Sequence, residues 1–275
     1  MPQPISTRIF TVANQKGGVG KTTSAVNIGA ALAMGGLRTL IVDLDPQGNA
    51  STAFGIARDE VSGMYEVIIK DEPIKNVALK IPGYPSLEVI PATQSLANAE
   101  VELVPLVARE TRLKKALTNY LMDASARGER FDYVIIDCPP SLGLLTINAL
   151  VAADELLIPI QCEYYSLEGL SLLLHTVNLI QEHLNPNLKL STIILTMYDG
   201  RTRLANDVAE EIRRHYPKEL IDVPIPRAVR VSEAPSYGQT VMTYDPGSNG
   251  ADAYARIARE IARRGAPPIS NAEVI

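Results

Sequence analysis

The run Lys16-Gly17-Gly18-Val19-Gly20-Lys21-Thr22-Thr23 constrains this chain more than any other feature. An apolar, β-branched stretch (Ile9 to Ala13) leads into it, and a stretch rich in helix-tolerant Ala, Leu and Ile (Ser24 to Met34) leads out. A strand that turns through glycines into a helix aims several free backbone N–H groups at one spot. Glycine lets the backbone curl round phosphate oxygens without a Cβ in the way, the helix start adds the positive end of its dipole, and Lys21 supplies a point charge. Thr22 places a hydroxyl where Mg2+ bound to the phosphates would sit. The run reads as a phosphate cradle. It departs from the general pattern G-x-x-x-x-G-K-[ST], because Gln15 stands where that pattern has glycine and a second lysine, Lys16, opens the loop.

The 275 residues, 46% of them hydrophobic, are enough for one α/β domain with a sizeable core. We expect that domain over residues 1–265, followed by a short polar tail over 266–275. No uninterrupted apolar run approaches the ~18 residues of a membrane span, and Met1 to Thr7 is too short and polar for a signal peptide. A soluble, cytoplasmic protein is expected. Cys138 and Cys162 form no C-x-x-C pair, which leaves two small buried residues as the reading preferred to a disulfide or to a cluster bridging two subunits. The net charge of −5 argues against a surface that binds nucleic acid everywhere. Between Arg201 and Arg230, however, seven cations face five acids, so this segment is locally basic.

Strand-like runs, most of them continuously apolar, recur at Arg38 to Leu44, Leu87 to Ile90, Tyr133 to Ile136, Glu155 to Ile160, Leu190 to Leu195 and Asp222 to Ile225. Such runs suit a mostly parallel, twisted sheet covered on both faces by helices. Helical stretches are predicted at Val101 to Ala126, Gly143 to Val151, Leu167 to Leu184, Leu204 to His215 and Ala251 to Arg263.

Two strand ends carry acids beside the cradle. Ile41-Val42-Asp43-Leu44-Asp45-Pro46-Gln47-Gly48-Asn49 ends an apolar strand in carboxylates and then turns, the place where a parallel α/β sheet puts its ligands. Phosphoryl transfer mostly requires positioned water and metal, so Asp45 is the candidate to orient the attacking water. Phe131 to Asp137 is a second apolar strand ending in aspartate, the form of an element that holds Mg2+ through water; Cys138-Pro139-Pro140-Ser141 after it is a rigid turn suited to sensing the terminal phosphate. The nucleotide candidates are therefore Lys16, Gly17, Gly18, Val19, Gly20, Lys21, Thr22, Thr23, Asp45, Gln47 and Asp137. Thr22, Asp45 and Asp137 are on the metal side.

KGGVGKTT, DLDPQGNAS, DYVIIDCPPSLG, LTMYDGRT, PRAVRVSEAPSYG and YDPGSNGADAY, in this order over nearly the whole chain, resemble the ParA/Soj chromosome-partition ATPases, whose deviant Walker A loop carries the extra lysine. The resemblance implies a single-domain P-loop NTPase using ATP and Mg2+. It implies a face-to-face ATP dimer in which Lys16 reaches the other protomer's nucleotide, and slow hydrolysis supported by Asp45. Adenine contacts are implied near Met197 and Tyr198 and along Pro224-Ile225-Pro226-Arg227, although Ala228 stands where the family often has asparagine. Sequence-independent binding of double-stranded DNA through Arg201 and Arg230, a ParB-type centromere-binding partner and association with the nucleoid are implied too. Two rival readings are weaker. A MinD-like membrane ATPase would end in a basic amphipathic helix, whereas Pro267 to Ile275 holds two prolines and no cation; a metabolic ligase or reductase would need a second substrate pocket or cluster cysteines.

Overall fold

The apolar runs become strands because each sends alternate side chains into two separate cores. In the computed structural model, which describes residues 1–164 and 166–267, the strands are β1 (Arg8–Val12), β2 (Thr39–Asp43), β3 (Leu79–Lys80), β4 (Leu87–Ile90), β5 (Tyr133–Asp137), β6 (Glu155–Gln161), β7 (Lys189–Thr196) and β8 (Leu220–Ile221). The helices are α1 (Lys21–Met34), α2 (Asn49–Ala53), α3 (Met64–Lys70), α4 (Ala99–Glu102), α5 (Arg112–Ala126), α6 (Leu144–Ala152), α7 (Ser166–His183), α8 (Arg203–His215), α9 (Val229–Glu233), α10 (Val241–Tyr244) and α11 (Asn249–Gly265). Phe10, Val12, Ile41, Tyr133 and Ile135 face one core with α1 and α11. Leu40, Val42, Val134 and Ile136 face the other with Leu117 of α5, Leu145 of α6, Leu173 of α7 and Ile212 of α8.

The sheet runs β3-β4-β2-β5-β1-β6-β7-β8, parallel throughout except for β3, which pairs antiparallel with β4. Helices cover both faces, so the α/β, mostly parallel architecture expected from the sequence is the one observed. β1 lies between β5 and β6; from β1 the chain moves to β2 on one side of the sheet, and from β6 it moves to β7 on the other. A crevice therefore opens at the carboxyl ends of β1, β2 and β5, where ligands of such sheets bind. α1 lies close above it: a Cβ on Gly29 would stand 2.6 Å from Ile41 Cδ1, so glycine there lets the helix approach the sheet.

Two predicted elements differ. The helix expected over 101–126 is broken, because Pro105 has no N–H to give and Ala108 adopts a left-handed backbone with φ of 52°; α4 ends at Glu102 and the second helix starts only at Arg112. The edge strand expected at 222–225 is instead Leu220–Ile221. Pro224 and Pro226 have no N–H for a ladder, and only Ile225 N still reaches Leu195 O, at 2.8 Å. Of the tail expected over 266–275, all but the first two residues lie outside the described residues.

The opposite, amino-terminal end of the sheet is closed by a satisfied ion pair. Arg8 donates from Nε and Nη2 to Glu155 at 2.6 and 2.7 Å and from Nη1 to Ile261 O at 2.7 Å, and its guanidinium stacks 4.8 Å from the Phe10 ring centroid. Burial works against the Glu155 charge, but the Arg8 hydrogen bonds outweigh it and leave the carboxyl below its ordinary 4.5. A depressed carboxylate contributes stability above its unfolded pKa and loses it as pH falls through the folded one. Glu155→Gln should therefore cost about 3 kcal/mol at neutral pH by stranding Arg8. In urea melts, the deficit should shrink below about pH 4.5. A pH-independent deficit would exclude the charge as its cause.

Candidate active site

The cradle is built from the end of β1. Gly18 and Gly20 hold φ values of +74° and +86°, which only glycine adopts freely, and Gly20 leads directly into α1. Asn14 fixes the loop entry: its Nδ2 donates to Pro159 O at 2.8 Å and its Oδ1 accepts Lys16 N at 3.0 Å. Thr196 Oγ1 donates to Val19 O at 2.8 Å and holds the far side. A Cβ built on Gly17 or Gly18 meets nothing within 4 Å, so the loop curls round open space.

The two lysines go different ways. Lys21 is buried, and its Nζ turns back to Lys16 O at 3.2 Å. Burial lowers its pKa, against the pull of Asp137 and Asp45. Lys16 instead points out of the cleft to Glu163, with its side chain 36% exposed.

Three carboxylates converge on the same edge. Asp43 and Asp137 are register neighbours at the ends of β2 and β5, both fully buried, and Asp45 is buried just beyond. Asp43 Oδ2 accepts from Ser51 N at 2.7 Å and Ser51 Oγ at 2.6 Å, while Asp43 Oδ1 and both Asp137 oxygens have no hydrogen-bond partner among the described residues. Burial, with the Asp45 charge, pushes Asp43 up to about 6 despite Ser51. Burial and the Asp43 charge raise Asp137 well above the usual carboxylate range, and Thr22 and Lys21 offset only part of this. Unpartnered buried carboxylates are costly unless a cation meets them, so the donor set fits a hydrated Mg2+ held by Asp137 with Thr22 and Asp45 nearby.

A cleft of about 590 Å³ opens over the cradle. It brings together Gly17, Gly18, Gly20, Lys21, Thr22, Thr23, Asp45, Gln47 and Met197 from the sequence-derived set. Lys16, Val19, Asp137, Pro224, Pro226 and Arg227 are not on its wall. Asp137 lies beneath the wall, and Pro226 is engaged in a bridge with Tyr198. Residues missed by sequence reasoning complete the cleft: Val26, Ala53, Val231, Pro235 and Val241 give an apolar wall, with Ser232 and Gln239 at its polar points. That composition suits a flat heteroaromatic base. The signal was the block PRAVRVSEAPSYG, which has no regular period and so gives no direction for its side chains. Asp43 was missed too, although the alternation Asp43-Leu44-Asp45 at a strand end was visible.

Arg201 and Arg230 are exposed and already engaged locally. Arg201 grips Asp199 through two hydrogen bonds, at 2.8 and 2.6 Å; Arg230 reaches Glu233 at 3.3 Å and the Tyr244 hydroxyl at 3.4 Å. Among the described residues no His/Cys/Asp/Glu group forms a self-contained metal site, and no helix is long and apolar enough to cross a membrane. Both cysteines are buried and free.

A family model described as an AAA domain matches residues 7–190. The sporulation initiation inhibitor protein Soj of Bacillus subtilis is 50% identical over 259 residues, covering 94% of this chain and 99% of that protein. The chain belongs to the Soj/ParA family of partitioning ATPases. The chromosome partitioning protein ParA of Myxococcus xanthus is 49% identical over 261 residues, 94% of this chain and 89% of that one. A solved structure of cobyrinic acid a,c-diamide synthase from Mycobacterium smegmatis with bound ADP and magnesium is 37% identical, with a TM-score of 0.78 over 94% of this chain and 95% of that one. The Soj/ParA membership accounts for the cradle, the acid cluster and their order along the chain together.

Raised carboxyl pKa values mean that the free protein loses stability as pH rises through them, and that a cation drawing them down releases protons. Mg2+–nucleotide binding should thus tighten as pH rises toward and through about 6, where Asp43 gives up its proton. It should also release protons to the buffer, and Asp137→Asn should cut that release. Calorimetry in two buffers of different ionisation enthalpy measures it, and equal heats after correction for binding alone would contradict it.

Proposed function

We propose that this protein is an ATP-driven switch for DNA segregation. With ATP and Mg2+ two copies pair face to face and hold duplex DNA without sequence preference; hydrolysis, stimulated by a ParB-type centromere-binding partner, releases them. The observation that carries the reading is the division of labour between the two lysines. Lys21 is buried at the floor of the cleft, whereas Lys16 stands at its rim, turned away from its own cradle and, among the described residues, held by Glu163 alone. An exposed pair of this kind is worth roughly 1 kcal/mol or less, so Lys16 exchanges Glu163 for a phosphate of the opposing copy at little cost.

Bound ATP and Mg2+ supply the scissile phosphoanhydride and the charge that meets the acid cluster. The loop N–H groups and Lys21 hold the phosphates. Thr22 and Asp137 hold the metal side, and Asp45 orients the attacking water. The apolar wall of Val231, Pro235 and Val241 takes the base. This assignment extends over residues 1–265 as one ATPase domain. Arg201 and Arg230 serve as DNA contacts because both are exposed and their partners are exchangeable surface groups, Asp199 for Arg201 and Glu233, Asp245 and Tyr244 for Arg230. Phosphate contact needs charge and no base-reading motif, which matches sequence-independent binding and a place on the nucleoid.

The reading is tested first by Lys16→Ala, which should leave nucleotide binding within a few-fold while removing the ATP-dependent dimer in size-exclusion chromatography. Lys21→Ala should abolish binding itself. A Lys16→Ala protein that dimerises normally would remove the role across the interface.

DNA anisotropy with ATP, ADP and no nucleotide provides the second test. Binding should need ATP, should be equal on two unrelated duplexes, and should persist in Asp45→Ala. In Arg201→Glu or Arg230→Glu the slope of log affinity against log salt should fall by about 1 for every DNA phosphate that each protomer no longer neutralises. Unchanged affinity in both variants would reject this patch.

A further inference from the structure

Arg58 lies outside the cradle, yet its guanidinium binds the turn that carries Asp45. It donates from Nη2 to Pro46 O at 2.6 Å and from Nη1 to Gln47 O at 2.5 Å. On the other side it donates from Nε to Ala92 O at 2.7 Å and from Nη2 to Thr93 O at 3.4 Å, at the loop leaving β4. All four partners are backbone carbonyls, and among the described residues it forms no ion pair. One planar cation thus clamps two segments that are more than thirty residues apart in the chain.

The clamp has a direction. A peptide unit is planar and trans, so its C=O and N–H point opposite ways. Holding Pro46 O turns the N–H of Gln47 toward Asp45, and Gln47 N donates to Asp45 Oδ1 at 2.9 Å. Holding Gln47 O turns the N–H of Gly48 back to Asp45 O, at 2.8 Å. Asp45 Oδ1 is thereby fixed, and Oδ2 has no hydrogen-bond partner among the described residues. Gly48 makes room for the clamp: a Cβ there would stand 2.0 Å from Arg58 Nε and 2.1 Å from its Cζ. A second tie reaches the same place, because Ala92 N donates to Ser51 Oγ at 3.0 Å and Ser51 donates to Asp43. The β4 loop that Arg58 grips is therefore anchored to the acid cluster.

We propose that Arg58 is a positioning residue for hydrolysis: by clamping the carbonyls of Pro46 and Gln47 to those of Ala92 and Thr93 it aims the Asp45 carboxylate at the attacking water. The role rests on the ATPase reading above. Because the guanidinium does not line the cleft, its loss acts on turnover and not on nucleotide binding. Lysine cannot replace it, since one ammonium cannot span carbonyls on two segments.

The test is ATP hydrolysis by wild type, Arg58→Ala, Arg58→Lys and the double variant Arg58→Ala/Asp45→Ala, with melting curves to confirm folding. Arg58→Ala should lower kcat about 10- to 100-fold, the scale of a misplaced catalytic group, with KM for ATP within about twofold. Arg58→Lys keeps the stem and the charge and should be comparably slow, which covers an Arg58→Ala protein that does not fold. Free guanidinium in the millimolar range should restore part of the turnover of Arg58→Ala but none in the double variant. A wild type that fails to hydrolyse ATP overturns the ATPase reading and this proposal with it. A wild type that does hydrolyse, beside variants with unchanged kcat, a loss carried by KM, or full activity in Arg58→Lys, overturns the role of Arg58 alone.

Discussion

Two aspartates set side by side at the ends of adjacent parallel strands, with three of their four oxygens unpartnered, are the constraint round which this molecule is arranged. Burying one such charge without compensation costs several kcal/mol, and the second repels the first. Lys21 is close enough to be felt by Asp137 but turns its ammonium to a loop carbonyl instead. The fold therefore sets a cluster of acids, whose full ionisation burial opposes, at the mouth of a loop whose backbone N–H groups attract anions. Only a ligand bearing both signs, an anion with its own multivalent cation, answers both demands. Neither Mg2+ alone nor nucleotide alone does so.

The two ends of the sheet treat charge in opposite ways. At the amino-terminal end, Arg8 and Glu155 pair through two hydrogen bonds and Arg8 makes a third to Ile261 O, which ties the starts of β1 and β6 to α11. At the carboxyl end the polar groups are left incomplete. Asp43 and Asp137, with most of their oxygens unmet among the described residues, thus sit where the nucleotide and its metal bind. The proposed role of Asp45 is consistent with its being held, among the described residues, by a turn and a clamp and not by an ion pair: a cation on its carboxylate would occupy the oxygen that the proposed water needs.

Much of this was legible in the sequence, for reasons that differ by residue. The cradle was readable because glycine, lysine and threonine must each occupy a set position relative to a strand and a helix, and β1, β2 and β5 because buried parallel strands leave continuous apolar runs. The broken helix at 103–111 was not, since the effect of Pro105 on a helix depends on what surrounds it and Ala108 gives no warning of a left-handed backbone. The apolar wall of the cleft was hidden as well, because Val231, Pro235 and Val241 come from short helical turns with no shared period. Arg58 reads in sequence as a charged loop residue; its four carbonyl partners come from two segments that only the fold brings together.

Local pairing of the cations assigned to act on other molecules is the feature least visible in sequence. Lys16 rests on Glu163, Arg201 on Asp199 and Arg230 on Glu233, each with an exposed cation. Such pairs contribute little to stability because water screens them and two side chains must be ordered to form each one. Their consequence lies in the balance between free and bound states. A cation already paired gains only the difference between a carboxylate and a phosphate, so one arginine alone exerts little hold on DNA, and one lysine little on a second nucleotide. In the proposed switch, several such exchanges made at once, when two copies close and present their arginines together, would multiply those small differences into a firm one. Weak single interactions that add up only in such a dimer would make DNA binding follow the nucleotide, and separating the copies would then be sufficient to end it.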